Sequence, residues 1–227
     1  MLSFFTNYGK LGVEVISMLE NVEVLCHNCI KFNSEKIIYT DPFQLKNEYH
    51  DADMILITHS HYDHFSEEDI EKVRGENTVI CITEDLYDKI LELNFQKENI
   101  VVVKPNHTYQ ILGIEIETIP AYNTNKKFHP KENHWVGYLL HLQGNTYYIA
   151  GDTDITDENK KIVCDVAFVP VGGTYTMDSK EAAELVNEIK PRFAVPVHYG
   201  SIVGEQKDAD LFVQNLSEEI NGRILMK

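Results

Sequence analysis

The chain has 227 residues, 43% of them hydrophobic and 25% charged, a composition typical of a soluble globular protein with a sizeable core. Its 20 basic and 36 acidic side chains give a formal net charge of −16, which makes nucleic acid an unfavourable partner. No apolar stretch reaches the roughly 20 residues that cross a membrane, and residues 1–19 lack the features of a signal peptide, so we expect a cytoplasmic protein.

The first half of the chain consists mainly of predicted strands. Short apolar or alternating runs predict strands at 22–30, 36–39, 53–58, 78–82, 100–103 and 114–119. Ser66 is placed to cap a short helix over 67–73, and Leu86, Ile90 and Leu93 recur at helical spacing. Cys26 and Cys29 have the spacing of a redox pair or half a zinc site, but no second pair exists. We therefore interpret them as reduced cysteines in a core strand.

In the second half, strands alternate with helices. Strands are predicted at 136–142, 146–150, 166–170, 193–197 and 223–226. Asp178, with Glu181 three residues later, predicts a helix that runs to about Ile189, and another is predicted over 208–216. No linker or repeat interrupts the chain, so we expect one domain over residues 1–227. Periodicity alone indicates only a mixture of α and β structure.

The richest group of metal-ligand side chains follows the predicted strand at 53–58. It contains His59, His61, Asp63 and His64 within six residues. In extended chain, residues two apart point the same way, so His59 and His61 can meet one ion. Asp63 and His64 lie beyond the bend and can face a second ion. The mixture of imidazole and carboxylate suits zinc, iron or manganese and does not distinguish between them.

This His-x-His-x-Asp-His motif after a buried strand resembles the signature of the metallo-β-lactamase superfamily. Residues 40–43, 151–153 and 196–200 are similar to further motifs of that family. Residues 170–177, followed by Glu181-Ala182-Ala183, resemble a branch of small hydrolases related to ascorbate-6-phosphate lactonases. The resemblance covers roughly residues 22–225, and it implies an α/β fold built as a four-layer αββα sandwich.

The resemblance also implies a ligand set. His59 and His61 would hold one ion, Asp63, His64 and His198 the other, and Asp152 would bridge them. The first ion normally takes a third histidine, but Asn123 occupies the place where it is expected. We predict that His129 substitutes for it; the alternatives are His134, on the same loop, or a first site without a third histidine.

The implied activity is that of a metal-dependent hydrolase. Two divalent ions, zinc foremost and manganese, iron or nickel as alternatives, would present a bridging hydroxide to a small-molecule ester, lactone or phosphoester. Asp63 is the predicted catalytic residue, because it can orient that water or carry its proton. The candidate substrate contacts are His27, Thr174, Tyr175 and Tyr199.

Other functions remain open at this point. A basic cluster at Lys126, Lys127 and Lys131 is either a solvated loop or a means of steering an anionic substrate. A metal-dependent nuclease or phosphodiesterase is one alternative, and a non-hydrolytic diiron redox protein is another. A non-catalytic metal-binding protein is disfavoured, because an open site for two ions serves no folding need. Substrate, metal and oligomeric state are not determined by the sequence.

Overall fold

The structure, a computed structural model, describes residues 18–226. Its first sheet has six strands in the order β1-β2-β3-β4-β5-β6, of which β3 to β6 are parallel. These strands are β1 Val22–Cys26, β2 Cys29–Asn33, β3 Ile37–Thr40, β4 Ala52–Leu56, β5 Arg74–Ile82 and β6 Ile100–Val102.

The second sheet has seven strands in the order β13-β12-β11-β10-β9-β8-β7, and β10 to β13 are parallel. They are β7 Thr108–Ile111, β8 Ile114–Pro120, β9 Val136–Leu142, β10 Asn145–Ile149, β11 Val166–Pro170, β12 Phe193–Val197 and β13 Asn221–Gly222.

Apolar side chains of both sheets meet in a central core that includes Ile30, Met54, Tyr138 and Phe168. Within residues 18–226, the outer faces are covered by four α-helices: α1 Glu67–Val73, α2 Tyr87–Glu92, α3 Ser179–Ile189 and α4 Gln206–Gln214. Helices α1 and α2 pack on the first sheet, and α3 and α4 pack on the second. This arrangement confirms the predicted αββα sandwich.

The predicted helix starts are correct where capping residues mark them. The Ser66 hydroxyl accepts the Asp69 backbone N–H at the start of α1, and Asp178 and Glu181 form a capping box at the start of α3. None of the helices in the described part of the chain combines the length and apolarity of a membrane-spanning segment. Residues 1–17, most of the segment on which the signal-peptide argument rests, lie outside the described residues.

Two predicted strands are placed wrongly, and one strand is missed. The strand predicted over 22–30 is a hairpin, because His27 has a left-handed backbone (φ 52°) and turns the chain between β1 and β2. Strand β7 was missed because its side chains are largely polar or exposed and it pairs with β8 alone. The last strand is Asn221–Gly222 rather than 223–226.

The architecture brings distant residues to one end of the sandwich. His59 follows β4 of the first sheet, whereas Asp152 and His198 follow β10 and β12 of the second. The loop between β8 and β9 carries His129, and the β1–β2 hairpin carries His27. Backbone hydrogen bonds tie these segments together, from Val136 N to the Thr58 carbonyl and from His198 N to the His27 carbonyl.

Candidate metal centre

The turn after β4 is held from below by Asp41, which is fully buried at the end of β3. Its carboxylate accepts hydrogen bonds from Thr58 N at 2.8 Å and from Thr58 Oγ1 at 2.7 Å. It also lies 2.8 Å from Nδ1 of His64. The Thr58 hydroxyl lies 3.0 Å from Nδ1 of His59. Both histidines therefore have an acceptor at Nδ1, which directs Nε2 into the site.

Eight side chains form two groups whose potential ligand atoms lie within 4.8 Å of one another. The first group consists of His59, His61, His129 and Asp152, and the second of His27, Asp63, His64 and His198. The structure thus gathers all seven predicted metal ligands at one place. It adds His27, which was predicted as a substrate contact.

Within the first group, Nε2 of His59 and Nδ1 of His61 are 3.1 Å apart. Two nitrogens bound to one tetrahedral zinc ion are separated by about 3.3 Å. His129 Nε2 lies 3.1 Å from Oδ2 of Asp152, and His59 Nε2 lies 3.9 Å from the same oxygen. The spacing of this group matches that of ligands arranged around a small ion.

Asp152 also contacts the second group. Its Oδ2 lies 3.1 Å from His198 Nε2, and its Oδ1 lies 3.3 Å from His64 Nε2. Asp63 Oδ2 lies 3.1 Å from His27 Nε2 and 3.6 Å from Nε2 of both His64 and His198. Asp152 is therefore the residue within reach of both groups.

Several of these atoms are buried without a hydrogen-bond partner among the described residues, although charged neighbours are close. They are Nδ1 of His27, Nε2 of His64 and His129, Oδ1 of Asp152, and both ring nitrogens of His198. His129 and His198 approach Asp152 to hydrogen-bond distance, but the geometry is not that of a hydrogen bond. Unpaired buried polar atoms are costly, and cations at this place would satisfy Oδ1 of Asp152 and the Nε2 atoms of His64, His129 and His198. The donor set therefore fits divalent metal ions.

The electrostatics of the site keep its two carboxylates ionised, whereas its histidines differ in the direction of their pKa shifts. Burial alone would raise the pKa values of Asp63 and Asp152, but the surrounding histidines outweigh it and hold both below the ordinary range. Burial would lower the pKa of His64, but Asp152 and Asp41 outweigh it and raise that pKa. Burial and the neighbouring His198 lower the pKa of His27 to about 4. His27 is therefore a neutral imidazole near pH 7.

A cavity of about 220 Å³ opens directly onto the two groups. Its walls are formed by His61, Tyr62, Asp63, Phe128, His129, Asp152, Tyr175 and Ile202. Phe128 and Tyr175 meet edge to face, with ring centroids 4.7 Å apart. The lining combines ligand-type side chains at the base with aromatic and aliphatic side chains above them.

Of the four candidate substrate contacts, only Tyr175 lines this cavity. His27 is buried within the second group, and Thr174 is absent from the walls. Tyr199 lines a separate cavity, with Cys26, Gln44 and other residues. Cys26 and Cys29 are free thiols that flank the hairpin turn rather than lying within one strand.

The loop after β8 places the two candidates for the third histidine in different environments. His129 is buried in the first group, whereas His134 is exposed and lines a different surface cavity. The Lys126 ammonium lies 2.6 Å from Asp154 and 3.7 Å from Glu181, so it pairs with the protein's own carboxylates. Lys126 does not line the cavity, and this placement argues against substrate steering by that residue.

Sequence reasoning missed two residues of the site. Asp41 was noted only as part of a similar segment, and its contacts with Thr58 and His64 depend on the pairing of β3 with β4. Trp135, the one tryptophan of the chain, packs its ring 4.7–5.6 Å from those of the three histidines of the first group. Its Nε1 donates to Asp85 at 3.0 Å, which fixes the ring. Its uniqueness and its position just before β9 were the available signals.

Comparisons with known proteins find one family model and several metal-dependent hydrolases. A family model described as a beta-lactamase superfamily domain matches residues 21–198. A UPF0173 metal-dependent hydrolase of Pyrococcus abyssi is 30% identical over 195 residues, which is 79% of this chain and 84% of the relative. A UPF0173 metal-dependent hydrolase of Thermococcus kodakarensis is 31% identical over 216 residues, which is 90% of this chain and 95% of the relative.

A crystal structure from Parabacteroides distasonis, whose name proposes a metal-dependent hydrolase, superposes with a TM-score of 0.73 at 30% identity. The superposition covers 90% of this chain and 91% of that one.

Proposed function

Since the chain belongs to the beta-lactamase superfamily, we propose that it is a metal-dependent hydrolase that uses two divalent ions, zinc foremost, on a small uncharged ester or lactone. One observation carries the proposal: two groups of ligand-type side chains, joined at Asp152, form the base of a small apolar-walled cavity. The relatives' names support the hydrolase class, and the walls of the cavity support the choice of substrate.

In this proposal, His59, His61 and His129 hold the first ion, and Asp63, His64 and His198 hold the second. Asp152 would be shared, because its Oδ2 lies 3.1 Å from Nε2 of both His129 and His198, which belong to different groups. When bound, such ions polarise a carbonyl oxygen and lower the pKa of water toward neutrality. The buried, unpaired nitrogens of His64, His129 and His198 support this assignment.

Asp63 is the residue of this cavity that we propose acts on water. It lines the cavity, and its carboxylate is held ionised, so it can accept a hydrogen bond from water beside the substrate and orient that water. His27 lies 3.1 Å from its Oδ2 and would orient the carboxylate. His27 either contributes to the second ion or acts only through Asp63. The first role requires the neutral imidazole that its lowered pKa provides.

The walls support an uncharged substrate. Tyr62, Phe128, Tyr175 and Ile202 offer apolar surface that can exclude water and hold an alkyl or aryl group. No lysine or arginine lines the cavity among residues 18–226, whereas recognition of a phosphate generally uses such side chains. The volume of about 220 Å³ is small for a ligand pocket, which favours a small substrate.

The same observations weigh against the alternatives. A nuclease or phosphodiesterase would have to attract a polyanion to a cavity without cationic walls, on a chain of net charge −16. A diiron redox protein is expected to have a carboxylate among the ligands of its first ion, in addition to the shared aspartate. The third candidate ligand in the first group is instead His129.

The proposal is tested by metal analysis of the purified protein together with a hydrolysis screen. Apoprotein made with a chelator should be inactive, and zinc or manganese should restore hydrolysis of uncharged lactones and aryl esters. His59→Ala should lose both metal and activity. His107→Ala is the matched control, because the His107 side chain is exposed and its ring hydrogen-bonds to the nearby Pro105 carbonyl. Full activity in the apoprotein, or faster hydrolysis of phosphoesters than of uncharged esters, would contradict the proposal.

A further inference from the structure

Asn123 occupies the place where a third histidine is expected, and its side chain contacts the histidine that we propose as the substitute. Its Oδ1 accepts the backbone N–H of His129 at 3.0 Å and lies 3.1 Å from His129 Nδ1. Its backbone N–H donates to the His129 carbonyl at 2.7 Å. Its Nδ2 donates to the Tyr175 carbonyl at 3.0 Å.

We propose that Asn123 is a positioning residue that holds His129 in the tautomer required for metal binding and joins that histidine to the substrate-facing wall at Tyr175. The inference rests on the proposed function, since it assumes that His129 binds an ion. It assigns a role to the residue that replaces the expected ligand.

The orientation of the amide is determined by its partners. The backbone N–H of His129 can only donate and the Tyr175 carbonyl can only accept, so Oδ1 faces His129 and Nδ2 faces Tyr175. An oxygen 3.1 Å from Nδ1 favours the proton on that nitrogen. Nε2 then carries the free lone pair, and Nε2 is the nitrogen that faces Asp152 at 3.1 Å.

The second contact links the metal centre to substrate binding. Tyr175 lines the cavity and packs edge to face against Phe128, the residue that precedes His129. Tyr175 therefore contacts the loop that carries His129 twice, through the Asn123 amide and through the Phe128 ring. Loss of the Nδ2 hydrogen bond should therefore alter the wall of the cavity, whereas loss of Oδ1 should alter the metal ligand.

Two substitutions separate these effects. Asn123→Ala removes both contacts, and we expect one of two metal equivalents to bind about 10- to 100-fold more weakly, with the other unchanged. The absorption spectrum of the cobalt-loaded protein should change accordingly. Asn123→Asp keeps an acceptor for His129 but loses the donor to the Tyr175 carbonyl. We expect it to retain metal affinity within a few-fold and to raise KM more than it lowers kcat.

Competition with a chromophoric chelator measures both affinities, and Asn125→Ala is the matched control, an exposed asparagine of the same loop. Parent-like metal affinity and cobalt spectrum in Asn123→Ala would overturn the inference. If Asn123→Ala does not fold, Asn123→Asp decides alone, and parent-like KM in that variant would overturn it. A parent protein that binds no metal would instead refute the proposed function, so the two failures are distinguishable.

Discussion

Asp41 accepts four hydrogen bonds beneath the site, and its contacts lead to histidines of both ligand groups. It lies directly against His64 Nδ1, and it reaches His59 Nδ1 through the Thr58 hydroxyl. The fourth donor is Asn28, at 2.6 Å. A single buried carboxylate therefore orients one histidine of each group, and this arrangement couples the two groups although Asp41 belongs to neither.

Asp41→Asn should weaken binding of both ions, by about 10- to 100-fold each. The amide would present a donor to a site where Asn28, Thr58 and His64 already donate, so the orientation of both histidines would be lost. Metal titration of the apoprotein measures the effect. Asp53→Asn is the control, since Asp53 pairs with Lys36 near the surface. Unchanged affinity for both ions in Asp41→Asn would show that Asp41 has no orienting role.

At this scale, sequence reasoning was most informative where the ligands are local. The spacing of His59, His61, Asp63 and His64 indicated a metal site because four residues on one turn must lie together. Asp41 is 17 residues from Thr58 and 23 from His64, so its role appears only once β3 and β4 are paired. The assignment of His129 remains a prediction, and its burial beside Asp152 depends on a loop whose path no periodicity specifies.

Among the elements, strands with strong apolar character were predicted well and polar ones were not. The predicted bounds of β11 and β12 agree with the structure, because both strands are completely buried. Strand β7 was missed since it has one buried residue among four. The hairpin at His27 was missed because a left-handed histidine leaves no glycine or proline signal in the sequence.

The segment after β10 depends on a glycine at position 151. Gly151 has a left-handed backbone (φ +64°), and a Cβ there would lie 3.0 Å from the Val136 carbonyl and 3.2 Å from Thr58 Cβ. The absence of a side chain lets Asp152 approach the turn after β4. The position of the shared carboxylate therefore depends on a close approach between the two sheets.

Gly151→Ala should both destabilise the fold and weaken metal binding. Gly144→Ala is the matched control, because Gly144 also has positive φ (+77°) but nothing lies within 4 Å of its Cβ position. We expect Gly144→Ala to lower the free energy of unfolding by about 1–2 kcal/mol and to leave metal affinity unchanged. Chemical denaturation and metal titration of both variants test this. Equal metal affinity in the two variants would contradict the argument from close approach.

The molecule as a whole is strongly acidic, and its cavity has ligand-type side chains at the base and apolar side chains in the walls. Two divalent ions would offset only four of the sixteen net negative charges. The chain's field therefore still repels anions from a distance, even if ions at the base attract them locally. In the proposed function, this field and the apolar walls would together favour uncharged substrates during both approach and binding.

The ionic-strength dependence of hydrolysis tests whether repulsion by the acidic chain outweighs attraction by ions at the base of the cavity. For a pair of esters that differ only in a carboxylate remote from the reacting carbonyl, kcat/KM of the anionic ester should rise several-fold between about 0.01 and 0.3 M salt, because added salt screens the repulsion. The value for the uncharged ester should stay constant, and this constancy also shows that salt does not remove the ions. A fall in kcat/KM of the anionic ester with added salt would mean that positive charge near the cavity dominates association. In that case the preference for uncharged substrates would have to come from the walls formed by Tyr62, Phe128, Tyr175 and Ile202 alone.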